Sequence, residues 1–173
     1  MRGHKRGVWS VAFAPTDMPA LTISSEGGGA SSAKGMVVTG SGDKTVRVWS
    51  LTDYSCLRTF EGHVNSVLKV VWLPPPPKQA KSDARRGIQV ASAAGDGLVK
   101  VWDAQSGECA ATLDNHIDRV WALAVKPKPL LSEAEQKRLA SKDSEMADAD
   151  DEDADDDQVT LISGSAPVSY THL

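Results

Sequence analysis

Val37 to Ser50 reads VVTGSGDKTVRVWS, and Val90 to Asp103 reads VASAAGDGLVKVWD. The two stretches align residue for residue. Each runs through an apolar alternation, a tight Gly-Asp turn, a second alternation and a closing Trp, the pattern of a half-buried hairpin. A Gly-His pair stands upstream of each, Gly3-His4 and Gly62-His63. A third copy opens at Asn115-His116 and reaches TLISGSA over Thr160 to Ala166, with no Trp-Asp after it. Self-similarity at this period marks stacked supersecondary units, none of which can bury its apolar face alone.

Four strand-like segments recur in each complete copy. The first copy offers GVWSVAFAP, MVVTGS, TVRVWSL and SCLRTF. The second offers SVLKVVWLP, IQVASAA, LVKVWDA and ECAATL, and the third RVWALAV and VTLISGS. A repeat with a Gly-His opening and a Trp-Asp closing resembles the blade of a WD-repeat propeller. The resemblance implies an all-β fold: a partial WD40 β-propeller of about two and a half four-stranded blades. The expected blades are residues 3–61, 62–114 and an incomplete 115–166. Residues 167–173, PVSYTHL, match no strand of the other copies, and Pro167 stands where the turn Asp belongs. They are expected to be a non-native tail.

The repeats are long for this class. Gly62 follows Gly3 by 59 residues and Asn115 follows Gly62 by 53, against roughly 40–45 in a typical WD repeat. The excess sits between the first and second strands each time, at 16–35, 74–87 and 126–158, so all three insertions should leave one propeller face. The first, with SSEGGGASSAKG, reads as flexible. The second is a Pro run followed by basic residues. The third has Ser132 and Glu135 at capping-box spacing, which predicts a helix over 133–146. It ends in ADADDEDADDD, which repels itself and should be disordered.

The net charge of −4 conceals two halves. Asp143 to Asp157 holds ten acidic residues, and the rest of the chain is net +6. Such asymmetry points to nucleic-acid or basic-protein partners. Lys78, Lys81, Arg85 and Arg86 in one insertion, with Lys126, Lys128, Lys137 and Arg138 in the next, are candidate contacts to RNA phosphates or to a partner. Cys56 and Cys109 each follow their blade's Trp by seven residues. Both are expected to be small buried strand residues rather than a disulfide. Trp9, Leu68 and Trp121 hold equivalent first-strand positions and are expected to pack in the core.

The resemblance also assigns structural tetrads: His4, Thr39, Asp43 and Trp49; His63, Ser92, Asp96 and Trp102; and in the third copy His116 and Ser163. Asp accepts from imidazole, imidazole meets hydroxyl, and hydroxyl meets the indole N–H. Ser, His and Asp together suggest a hydrolase, but here they recur per blade with a Trp and without a nucleophile elbow. No catalytic residue is expected. No cofactor or metal is expected either, because the histidines lack paired cysteines and Lys34 precedes Gly35 rather than Ser or Thr. No segment is apolar enough to span a membrane, the charged opening residues lead us to expect no secretory signal, and no small-molecule substrate is implied.

The strings GHKRGVWSVAFAP, TGSGDKTVRVWSLTDYSCLRTFEGHVNSVLKVVWL and DGLVKVWDAQSGECAATLDNHIDRVWALAV together resemble the Utp-thirteen family, called transducin beta-like protein three in animals. That resemblance implies a nucleolar, hence nuclear, scaffold of the small-subunit processome. Its partners would be the UTP-B subcomplex, U-three small nucleolar RNA and pre-rRNA, and its role ribosome biogenesis. The alternative is a WD-repeat adaptor of another complex, either a substrate receptor or a signalling scaffold.

Overall fold

A computed structural model of the chain describes residues 3–16, 18–24, 30–33, 35–74, 87–126 and 160–165. The helix expected over 133–146, the acidic run, most of the second insertion and the tail at 167–173 lie outside these residues. Within them the fold is all-β, a partial propeller. The first blade orders β1 (Val8–Phe13), β4 (Met36–Ser41), β5 (Val46–Ser50) and β6 (Cys56–Phe60) from inside outward. The second does the same with β7 (Val67–Trp72), β8 (Gln89–Ala94), β9 (Val99–Asp103) and β10 (Cys109–Leu113). The third contributes β11 (Val120–Val125) paired with β12 (Leu161–Ser165). All pairings are antiparallel.

The Gly-Asp turns close the hairpins as the composition dictates. Ser41 accepts from the Lys44 N–H at 3.1 Å, and Ala94 from the Gly97 N–H at 3.3 Å. Both turns need one left-handed residue, Lys44 at φ 72° and Gly97 at φ 80°. Glycine takes that conformation freely, whereas lysine is strained in it.

The blades pack through the faces that alternation predicts. Val38, Val46, Val48 and Phe60 of the first blade meet Val67, Val70, Val90 and Trp102 of the second in one core. Each such side chain removed from water contributes about 1.5–3 kcal/mol. Gly40 permits the approach: a Cβ there would lie 2.6 Å from a methyl of Val67. Three polar struts cross the same joint. The Ser10 hydroxyl accepts the Val70 N–H at 3.2 Å, and the Trp72 indole donates to the Ala12 carbonyl at 3.0 Å. Arg58 donates to the carbonyls of Ala104 and Gln105. A smaller, Ala-rich cluster of Leu73, Ala91, Ala93, Val99, Val120 and Leu123 joins the second blade to the third.

Two sequence expectations are corrected here. The first insertion is not simply a flexible loop: β2 (Leu21–Ser24) pairs with β3 (Ala30–Ala33), and Leu21 is buried in the main core. Leu-Thr-Ile-Ser alternates as a strand should, a signal hidden beside the Gly/Ser stretch. The cysteines are exposed rather than buried. They lie on β6 and β10, the outermost strands, and each thiol meets only its own strand, Cys56 the Arg58 carbonyl and Cys109 the Ala111 carbonyl.

Candidate functional site

The tetrad residues lie at one end of the blades, where the Gly-His loop crosses the hairpin turn of its own blade. His4 places Nδ1 2.9 Å from Asp43 Oδ2 and Nε2 2.7 Å from the Thr39 hydroxyl. The Trp49 indole donates to that hydroxyl at 2.8 Å. In the second blade His63 lies 2.9 Å from Asp96 and 2.8 Å from the Ser92 hydroxyl, which accepts from Trp102 at 2.8 Å. In the third blade His116 Nε2 lies 2.7 Å from the Ser163 hydroxyl. The network assigns the protons. In the second blade the carboxylate takes Nδ1–H, so Nε2 of the neutral ring accepts the hydroxyl proton.

The electrostatics agree with a neutral imidazole in the second blade. Burial disfavours the charged form and holds His63 below its ordinary 6.5, outweighing the Asp96 hydrogen bond and charge that would raise it. Burial would raise Asp96, but the hydrogen bond and charge of His63 and the N–H groups of Leu98 and Val64 together hold it below the ordinary carboxylate value. Burial likewise works to raise Asp43. Hydrogen bonds from the Thr45 hydroxyl, the Lys5 N–H, His4 and the Thr45 N–H outweigh it and keep Asp43 well below the usual range. The contact of His63 with Asp96 is therefore a hydrogen bond to a carboxylate rather than an ion pair.

The hydroxyl–imidazole–carboxylate order matches a hydrolytic triad, but its setting does not. Ser92 is fully buried, and its oxygen already accepts the indole proton. A nucleophile must reach its substrate and an oxyanion site beside it; the Ser92 hydroxyl, buried and already paired, holds strands together instead. Among the described residues no three His, Cys, Asp or Glu side chains gather as metal ligands would.

The accessible chemistry of this end lies in three other residues. Trp9 and Trp121, expected in the core, are 66% and 52% exposed, and Leu68 between them is half-buried. The cause is local. Each first strand carries a β-bulge against its neighbour, between Val8 and Ser10, between Val67 and Lys69, and between Val120 and Ala122. The skipped residue is Trp9, Leu68 or Trp121. A bulge leaves its extra residue unpaired and re-aims the side chain. The sequence signal was the apolar pair opening each strand, Val8-Trp9, Val67-Leu68 and Val120-Trp121. Such a pair breaks the alternation, and only one member can face the core. The three residues, with Asn65, Ser66, Gly95 and Arg119, line a shallow groove of about 260 Å³. Val64 and Ile117, each directly after a tetrad His, are also exposed.

Of the basic candidates, Lys126 alone is among the described residues. Lys126 is exposed beyond β11, and its N–H donates to the Thr160 carbonyl at 3.0 Å. Lys78, Lys81, Arg85, Arg86, Lys128, Lys137 and Arg138 lie outside the described residues.

Comparison with known proteins agrees with the repeat architecture. Over 139 residues the chain is 26% identical to a probable E3 ubiquitin ligase complex SCF subunit sconB of Talaromyces stipitatus, covering 58% of this chain and 20% of that protein. Over 90 residues it is 36% identical to the nuclear distribution protein PAC1 of Arthroderma benhamiae, covering 51% and 18%. Over 97 residues it is 31% identical to the cell division control protein 4 of Candida albicans, covering 52% and 14%. The matched part of the chain thus spans between 14% and 20% of the length of these relatives. The family model for the WD domain, G-beta repeat, matches residues 1–50 and 54–103, one segment ending with β5 and the other running from β6 through β9. The chain belongs to the WD40 repeat family.

Proposed function

We propose that the protein is a non-catalytic adaptor that docks a protein partner on the groove of Trp9, Leu68 and Trp121. The observation that carries this reading is the recurrence of the bulge. Three blades in a row push a large apolar side chain out of the core at the same strand position. Exposed aromatic side chains rimmed by polar groups are what protein interfaces use as anchors. The relatives support it in kind, since one is described as a subunit of a ubiquitin ligase complex. The tetrads serve this role indirectly, by fixing the loops and turns around the groove.

The nucleolar processome role is a second reading. It rests on the likeness of the blade strings to the Utp-thirteen family, and it would add pre-rRNA, U-three small nucleolar RNA and UTP-B proteins as partners. The relatives found, one of them named as a subunit of a ubiquitin ligase complex, favour the general adaptor. Affinity purification of the protein from its own cells separates the two. The adaptor reading expects a discrete set of proteins without pre-rRNA, lost on Trp9→Ala with Trp121→Ala. Co-purifying pre-rRNA and processome proteins would move the assignment to the second reading.

A further inference from the structure

A second cleft, of about 380 Å³, lies between the first and second blades. That volume falls within the roughly 300–1,000 Å³ of small-ligand sites. Its lining includes Lys5, Lys44, Arg47, Asp43, Glu61 and His63. Two of these are already committed. Asp43 receives hydrogen bonds from His4, the Lys5 N–H and both donors of Thr45. His63 has both ring nitrogens engaged in its tetrad. Glu61 is the remaining carboxylate, set against three cations. Among the described residues the only pairs at ion-pair distance are the two tetrad His–Asp contacts. Among the described residues Lys5, Lys44 and Arg47 therefore have no carboxylate partner.

Arg47 sharpens the point. Its guanidinium lies over the Trp49 ring at 6.0 Å, and its Nε is buried with no hydrogen-bond acceptor. A buried guanidinium N–H without an acceptor is uncommon. Lys44 adds a second sign. It accepts a left-handed backbone at φ 72° where the second blade uses Gly97, and strain of this kind collects at functional positions.

The second blade serves as an internal control. Its residues at the positions of Lys5, Lys44 and Arg47 are Val64, Gly97 and Lys100. The one cation there, Lys100, already donates to the Thr112 hydroxyl. The cationic cleft is thus a property of the first blade and not of the repeat.

We propose that the cleft of Lys5, Lys44 and Arg47 binds a phosphate group, either free or carried on a peptide. A phosphate matches the fork of the guanidinium, while the two ammonium groups balance its charge. The site goes beyond the adaptor reading and does not depend on it.

The test follows backbone amide shifts of the full chain by NMR during addition of inorganic phosphate, and separately of a phosphoserine peptide with its unphosphorylated control. Saturable shifts at Lys5, Lys44 and Thr45 are expected. Tighter binding of the phosphopeptide assigns the peptide source, and equal or tighter binding of inorganic phosphate assigns the free ion. Lys5→Val and Lys44→Gly, which install the second blade's residues, should each weaken binding about tenfold, the ratio carried by one charge-assisted hydrogen bond. Lys44→Gly should leave the unfolding midpoint unchanged or raised, so lost binding is not lost folding. The proposal is overturned by absent saturation, by binding that both variants retain, or by equal shifts at Asp96 to Leu98 of the second blade.

Discussion

Trp102 is the residue on which the second blade depends most. It is 3% exposed, donates to Ser92, and stacks on Phe60 of the first blade with ring centroids 5.4 Å apart. Trp102→Ala should cost about 3–5 kcal/mol as a large-to-small core change, read as a lowered urea midpoint. A loss below about 1 kcal/mol, the range of surface substitutions, would contradict the packing described. Acid should act through His63 and Asp96. The folded state holds His63 below its ordinary 6.5, so the unfolded chain binds the proton more readily. The contribution of His63 is complete above 6.5 and is lost as pH falls from there toward the depressed folded value. Asp96, also depressed, adds a further loss below its ordinary 3.8. The urea midpoint should be level near pH 8 and decline below about pH 6.5; a midpoint that rises on acidification would refute the neutral ring. At this scale the tetrads were legible because their residue types recur with the repeat. Trp9 and Trp121 were misread because a bulge reverses the side to which one residue points, and no spacing rule records that.

The strands divide the molecule into joints of unequal strength. Between the first two blades stand the Ser10, Trp72 and Arg58 hydrogen bonds. The same positions at the next joint hold Lys69, Val125 and Ala111, none of which repeats the bond. The second joint therefore relies on its smaller apolar cluster. Native-state hydrogen exchange should find β11 amides opening about tenfold faster than those of β7. Arg58→Ala should speed exchange in β10, whose adjoining turn Arg58 holds, without changing β11. Equal protection of β7 and β11 would mean that the apolar contacts alone set the joint. Every strand of the two complete blades could be placed from alternation and turn residues. The β2–β3 pair could not, since Gly-rich composition masks a short alternation.

At the scale of the whole molecule one face remains open. Val8, Val11 and Phe13 of β1 are 51%, 57% and 70% exposed, whereas Val67, Val70 and Trp72 at the same positions of β7 are 0%, 1% and 6%. The difference is what a neighbouring blade buries, and an uncovered apolar face of this kind favours association. The repeat made the architecture legible from a few anchor residues, because a period fixes every copy once one is understood. The partner was not legible, because the repeat fixes where Trp9, Leu68 and Trp121 stand and not what they contact. The central claim is that the blade core and the exposed groove are separate in role. Capture of the purified partner by the full chain carrying Trp9→Ala and Trp121→Ala, referenced to its own unfolding midpoint, tests it most directly. The account expects an unchanged midpoint with capture lost. Undiminished capture, or a midpoint that falls as far as that of Trp102→Ala, would contradict it.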